Sequence, residues 1–329
     1  MKNYLTLISF CLVLLSCEDM DTVIDLEIPP HKPVLVLNGL LDLENSVKVV
    51  VSQSVGAFSE GVPSYIQDAN VILYKDGEKI GSLLPDFTEL TYVYYTNRRN
   101  ENDSLPMYYY TDLENEGNFI GEYIPEKGAL YRIEVNHPDY NPIFAETYIP
   151  VDIEIEYSVD TVSSENNIEL EFSFDDRSDE QNYYRLQIFT SCIKKWVDDY
   201  GYLNEYGFGN YTEFRSNDPS FPGGIPFDGY TFEGDDVVFD DALFNGQQKT
   251  ILLDIQTDNK SSECDTIFMV FSTFSDDTYS YYNSLDDHSD KGEQGIFGGE
   301  VIPVYSNVQD GLGALISVNP QRIIIRERP

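Results

Sequence analysis

Val47, Val49 and Val51 in the stretch VKVVVSQS put an apolar side chain at every second position. A strand turns successive side chains to opposite faces, whereas a helix repeats every 3.6 residues, so this run is expected to lie as a strand with one face on a core. Ile153, Ile155 and Tyr157 in TYIPVDIEIEYSV repeat the alternation. PVLVLNGLL, TYVYY, MYYYT, NIELEFSFDD, NYYRLQIFTSCIKKW, KTILLDIQTD and DTIFMVFSTFS are further strand candidates. Asp76-Gly77 sits between two such runs, and this dipeptide suits the positive φ angles of a tight hairpin turn. One helix is expected in SDDTYSYYNSLDDH, with Ser275 as its N-cap, acidic residues in the first turn and Tyr279, Tyr282 and Leu285 on one side. GALISV and QRIIIRE read as two final strands around Asn319-Pro320.

The expected class is therefore all-β, as two β-sandwich domains. With 25 Tyr and 19 Phe there is ample material for two cores. Pro150 closes the first unit, giving residues 33–150 and 151–329. The second is the larger sandwich, with the short helix and a long aromatic insertion between Asp198 and Asp236. That insertion is rich in Gly, Pro, Tyr, Phe and Asn and shows little periodicity, which reads as an excursion outside the regular strands.

The N-terminus carries an address. Lys2 precedes the apolar run YLTLISFCLVLLS, which is shorter than the ~20 residues of a membrane-spanning helix and has the length of a signal-peptide core. The run ends in Leu14-Leu15-Ser16-Cys17, which resembles the bacterial lipoprotein box; residues 1–16 are then removed and Cys17 is acylated. Each buried CH₂ contributes about 0.8 kcal/mol, so several acyl chains hold a soluble domain on a membrane. Glu18, Asp19 and Asp21 follow, in an acidic tether spanning residues 17–32. They resemble the surface-export signal of Bacteroidota lipoproteins, which implies the outer leaflet of the outer membrane.

The chain has 58 acidic and 20 basic residues, a formal charge of −38. That balance opposes phosphate backbones, so no nucleic-acid partner is expected. Beyond Cys11 and Cys17 the cysteines are Cys192 and Cys264, an even pair that an oxidising compartment would allow to form a disulfide or leave as two buried thiols.

Two resemblances extend the reading. Ala69-Asn70-Val71, Gly121-Glu122-Tyr123 and Gly128 with Tyr131 and Val135 resemble the wording of transthyretin-like and immunoglobulin-like accessory domains. A tyrosine at such a strand start can bury its ring and keep its hydroxyl wet. Further on, Asp241, Phe244 and Gly246 match "D-x-x-F-x-G", and Ser306, Asn307, Gly311 and Gly313 match "S-N-I-x-x-G-x-G", with Ala314-Leu315 where Ile-Phe is usual. These resemble a large family of Bacteroidota outer-membrane lipoproteins of unknown function. The resemblance implies a gene neighbour of the TonB-dependent receptor type, a role as surface partner of that barrel, and no catalytic residue.

The residues read for chemistry give little support to an enzyme. His31, His137 and His288 are the only histidines, and none has the i,i+4 partner of a zinc hydrolase. No G-x-S-x-G elbow occurs. Carboxylate pairs such as Asp175-Asp176, Asp235-Asp236 and Asp240-Asp241 are too many to single out one. No resident cofactor is expected. Residues 234–241 and 286–290 offer oxygen ligands for Ca²⁺, with solvated charge as the alternative. Binding is expected in the aromatic insertion: Trp196, Tyr202, Tyr206, Phe208, Tyr211 and Phe214, beside Tyr200, offer ring faces for a glycan or a peptide. The alternative is that these rings only pack the insertion onto the sandwich. The leading function is capture or gating for a TonB-dependent transporter in nutrient uptake; the second is a surface adhesion or assembly module supported by Ca²⁺.

Overall fold

The computed structural model describes residues 31–56, 64–96, 102–162, 167–178, 180–198, 200–222, 229–256, 264–292 and 303–327. The first half of the chain forms β1 (Leu35–Leu41), β2 (Val49–Gln53), β3 (Asn70–Lys75), β4 (Glu78–Thr96), β5 (Asn102–Asn115), β6 (Asn118–Gly121), β7 (Leu130–Asn136) and β8 (Ile143–Tyr148). The second half adds β9 (Ile155–Val162), β10 (Asn167–Asp175), β11 (Tyr183–Val197), β12 (Leu203–Tyr211), β13 (Phe214–Ser216) and β14 (Phe232–Gly234). It continues with β15 (Asp236–Asp240), β16 (Gln248–Gln256), β17 (Cys264–Phe274), the helix α1 (Asp276–Gly292) and β18 (Leu312–Glu327). The fold is all-β, as the alternation requires.

Local chemistry accounts for the elements. In β10, Ile168, Leu170, Phe172 and Phe174 are buried while Glu169 and Glu171 are exposed. In and before β2, Val47, Val49 and Val51 are buried. Asp76 and Gly77 take φ of 51° and 83° in the turn between β3 and β4, and Glu116-Gly117 does the same between β5 and β6. Ser275 Oγ accepts from the Thr278 backbone N–H at 3.3 Å, so it caps α1 as expected.

Two sheets result. The larger runs β12-β11-β17-β18-β1-β2-β5-β4-β3-β7-β8, with β15 also on β11 and β6 on β5; the smaller runs β14-β13-β16-β10-β9. Over the first half the large sheet folds back on itself: Gln309 N donates to Phe144 O at 2.8 Å and Thr147 Oγ1 to Ser317 Oγ at 2.9 Å, joining the β8 edge to β18 and the segment before it. The first core lies inside this fold, with Leu35, Val49, Leu73, Tyr110, Tyr131 and Ile133. The second core lies between the rest of the large sheet and the small sheet, in a sandwich filled by Phe172, Phe174, Tyr184, Phe214, Phe239 and Phe271. Val308 and Leu315 complete the first core from beyond the boundary at residue 150.

Three expectations change. GALISV and QRIIIRE are one strand, β18, which pairs parallel with β1 from Leu312 to Ser317 and antiparallel with β17 from Val318 to Glu327. Pro320 lies past the end of β1, where β18 has a neighbour on one side only, and a proline is tolerated there. The segment expected as an aperiodic excursion contains β12, β13 and β14. Tyr131 keeps its ring buried, but its hydroxyl is turned inward, accepting from Glu126 N at 2.8 Å and meeting the Tyr123 hydroxyl at 3.5 Å. Burial pushes the Tyr131 phenol well above its usual value.

Candidate functional site

Strand β12 ends the large sheet, and with β11 it forms a hairpin whose aromatic side chains stand in solvent. The turn is built by Asp198, whose Oδ1 accepts from Tyr202 N at 2.8 Å and Tyr200 N at 3.0 Å, while Gly201 takes φ of 84°. These bonds, Tyr202's first, hold the Asp198 carboxyl below its usual value. Tyr200 is 87% exposed and Tyr202 71%.

The register sorts the predicted residues. Lys194 faces Tyr206 and Cys192 faces Phe208, and by alternation Trp196 stands on the same face. The Tyr206 and Phe208 rings stack with centroids 6.1 Å apart. Tyr211 lies on the opposite face, edge-on to Phe189 at 5.4 Å. Phe214 is no contact residue: it is fully buried in the second core, 5.3 Å from Phe232, because β13 turns it inward between the two sheets. The structure therefore brings Trp196, Tyr206 and Phe208 together, sets Tyr202 at the tip and removes Phe214.

A groove that the sequence did not reveal opens beside Tyr211, on the outer face of the large sheet. Tyr211, Phe189 and Phe268 are neighbours across β12, β11 and β17, with Phe189 and Phe268 centroids 5.1 Å apart. A Cβ on Gly209 would come within 2.2 Å of the Phe189 ring, so the glycine makes room for that ring to lie over β12. Next to this aromatic stripe, Arg185 Nε reaches both Asp236 oxygens at 2.9 and 3.0 Å, and the Arg322 guanidinium lies 5.7 Å from the Phe268 centroid. Tyr282 of α1 walls the groove, whose volume is about 260 Å³. In β11, Arg185 and Gln187 alternate with buried Leu186 and Ile188 and so mark Phe189's side of the strand as the polar one, whereas the run around Phe268 in β17 carries no such mark.

Cys192 is buried and disulfide-bonded, and Cys264 is its register partner on β17. The lipidation residue Cys17 and the acidic residues Glu18, Asp19 and Asp21 lie outside the described residues. Among the described residues, no group of three or more His, Cys, Asp or Glu side chains is placed to hold a metal ion. Asp236, in one candidate Ca²⁺ loop, is instead committed to Arg185, and Asp241 Oδ2 accepts from Asn182 N at 2.9 Å. No helix among the described residues is long and apolar enough to cross a membrane.

The two family-like motifs prove to be joints. Phe244 N donates to Asp241 O at 2.8 Å, which buries Phe244, and Gly246 takes φ of 69° and donates its N–H to Asp176 Oδ2 at 2.8 Å. In the second motif, Asn307 bonds to β18 and β8, and Gly313, at φ of 102°, lies against the Leu37 carbonyl of β1. A family model described as "Domain of unknown function (DUF4249)" matches residues 21–323. The chain belongs to this family. Both joints fall inside the matched span, as do the aromatic hairpin, the first core and all of the second core except Ile325.

No curated protein matches the sequence. Among solved structures, the yeast delta-COP-I mu-homology domain is 8% identical, over 88% of this chain and 93% of that one, at a TM-score of 0.21. The same domain complexed with Dsl1 WxWxV peptide is 9% identical over 90% and 96%, at 0.22. A structure described as "Complete structure of manganese lipoxygenase of Gaeumannomyces graminis and partial structure of zonadhesin of Komagataella pastoris" is 8% identical over 90% and 94%, at 0.21. Scores this low carry no argument about this chain.

Proposed function

We propose that the protein is a lipid-anchored outer-membrane protein of Bacteroidota, displayed at the cell surface, that captures or gates cargo for a TonB-dependent transporter. The observation that carries this reading is the β11–β12 hairpin, which holds Trp196, Tyr202 and Tyr206 exposed at the open end of the sheet. Rigid aromatic area with polar tips is the material of binding surfaces. The lipobox-like Leu14 to Cys17 and the acids Glu18, Asp19 and Asp21 support the address. Transport energy comes from the barrel and its motor in this scheme, and the chain supplies contact only.

The test is made in cells. Solubilised outer membrane is passed over the tagged protein, and a large β-barrel is expected to co-purify from the parent and to be lost with a Tyr202→Ala/Tyr206→Ala double variant. Cys17→Ala is expected to release the protein from the membrane. Retention of that variant, or shaving of whole cells by protease that leaves the parent intact, overturns the reading.

A further inference from the structure

The groove on the outer face of the large sheet has a floor of two small side chains, Val270 and Ser272 of β17. By register, Gln187 and Arg185 of β11 stand on one side of this floor, and Arg322 and Pro320 of β18 on the other. Two guanidiniums therefore flank it. No carboxylate among the described residues belongs to the lining, although acidic residues outnumber basic ones 58 to 20 in the chain. Arg185 is held by Asp236 through Nε and Nη2, which leaves Nη1 to donate into the groove. Arg322 gives Nη2 to Glu44 at 2.9 Å in a pair about half exposed on both sides, and such a pair exchanges partners at little cost.

A second observation is independent of this charge. Ser272 is 5% exposed, and its Oγ has no hydrogen-bond partner among the described residues. That oxygen is not one of the buried polar atoms sealed from solvent, and its register neighbour Arg185 shares its face of the sheet, so a guest in the groove can reach it. A hydroxyl so placed is short of a bond that an acceptor in the groove would supply. Rings stand at both ends of the floor. Phe189 and Phe268 lie beyond Val270, and Phe274 packs on Tyr282 of α1, centroids 5.6 Å apart, beyond Ser272.

We propose that this groove binds an aryl carboxylate, its acid group between Arg185 and Arg322 on the Ser272 hydroxyl and its ring over Val270 against Phe189 and Phe268. A carboxylate accepts from both guanidiniums and from Ser272 Oγ, and these charge-assisted bonds are the strong ones. Val270 lies two residues along the strand, about 7 Å from Ser272, which is the span between the acid and the ring of such a molecule. A cation would meet the two guanidiniums. An uncharged arene would leave Ser272 unpaired, and a sugar acid would set hydroxyls without partners against Val270 and the phenyl rings. The chain's net negative charge repels the acid only at short range, because salt screens charges beyond about 8 Å. The site needs neither the membrane address nor the solvent-facing rings of the hairpin.

The experiment is calorimetric titration of the full-length protein at constant ionic strength with phenylacetate, with 2-phenylethanol as its uncharged counterpart and glucuronate as a sugar acid. Saturable binding of phenylacetate is expected, with both other probes at least about tenfold weaker. Arg322→Gln and Ser272→Ala are each expected to weaken phenylacetate about tenfold. Ser272→Ala removes only an unpaired hydroxyl, so its melting temperature is expected to equal or exceed the parent's, which separates lost binding from lost folding. No saturable binding of phenylacetate, equal affinity for 2-phenylethanol, tighter binding of glucuronate, or unchanged affinity in both variants overturns the proposal.

Discussion

Asn307 pairs with Leu315 as a strand would: its Nδ2 donates to the Leu315 carbonyl at 2.8 Å, and its Oδ1 accepts from the Leu315 N–H at 3.0 Å. The same Nδ2 also donates to Glu146 O at 2.9 Å. One side chain thus closes the gap between β18 and β8, where no further strand is available. Leu315 is fully buried, so its two backbone groups have no water to fall back on. Each group left unpaired costs about 1–3 kcal/mol. Asn307→Ala is expected to destabilise the protein by about 3 kcal/mol in urea unfolding. Asn307→Asp keeps the acceptor but sets an acceptor-only carboxylate oxygen against the Leu315 and Glu146 carbonyls, so near neutral pH it is expected to destabilise at least as much as Ala.

Gly313 and Gly77 both have positive φ, 102° and 83°, yet they predict different outcomes. A Cβ on Gly313 would stand 2.1 Å from the Leu37 carbonyl oxygen, an atom of β1 that cannot move without breaking the parallel pairing. A Cβ on Gly77 meets nothing within 4 Å. Gly77→Ala therefore carries only the left-handed strain of about 1–2 kcal/mol. Gly313→Ala adds the steric conflict and is expected to cost about 3 kcal/mol more. Equal melting temperatures for the two variants would contradict the close approach of β18 to β1.

The legible parts of this fold are those in which one residue type permits one geometry. Alternation marked β2 and β10, Asp76-Gly77 marked a turn, and Ser275 marked a cap. β12 escaped because Gly207 and Gly209 interrupt it and most of its side chains meet solvent, so no apolar side alternates with a polar one. Phe214 looked like its aromatic neighbours, and only the small sheet, assembled from strands far apart in sequence, decides that it faces inward. Pro320 suggested a break because its tolerance depends on where β1 ends. The outer groove is built from residues more than a hundred positions apart, a relation that no local pattern encodes.

Asp152 and Asp176 are expected to act on stability with opposite signs across the acid range. Lys127 and then Asn319 hold the Asp152 carboxyl below its ordinary 3.8. Its stabilisation is present above pH 3.8 and is lost as pH falls through the lowered folded value. Asp152 is about half exposed, so screening limits the effect to about 1 kcal/mol. The melting-temperature deficit of Asp152→Asn is expected to be constant near neutrality and to shrink below pH 3.8. Burial raises Asp176 above 3.8, against the bonds it accepts from the Tyr184 hydroxyl and Gly246 N. Its contribution is present below pH 3.8 and is lost as pH rises through the raised folded value. Asp176→Asn is accordingly expected to gain on the parent from acid to neutral pH. Melting curves between pH 2 and 7 check both signs.

Phe214 and Tyr206 lie only a few residues apart and were read alike from the sequence, yet the structure gives them opposite roles. Phe214 is fully buried among the rings of the second core, and Phe→Ala at such a site costs about 3–5 kcal/mol. Tyr206 is 60% exposed, and its ring touches Phe208 across a solvent-facing stack. Tyr206→Ala is expected to change stability by less than about 0.5 kcal/mol. If the hairpin is the contact surface, Tyr206→Ala loses partner capture at unchanged melting temperature, whereas Phe214→Ala loses melting temperature first. A Tyr206→Ala variant that melts several degrees lower would mean that the ring serves the packing of the sandwich, and the binding surface would then have to be sought in the groove beside Tyr211.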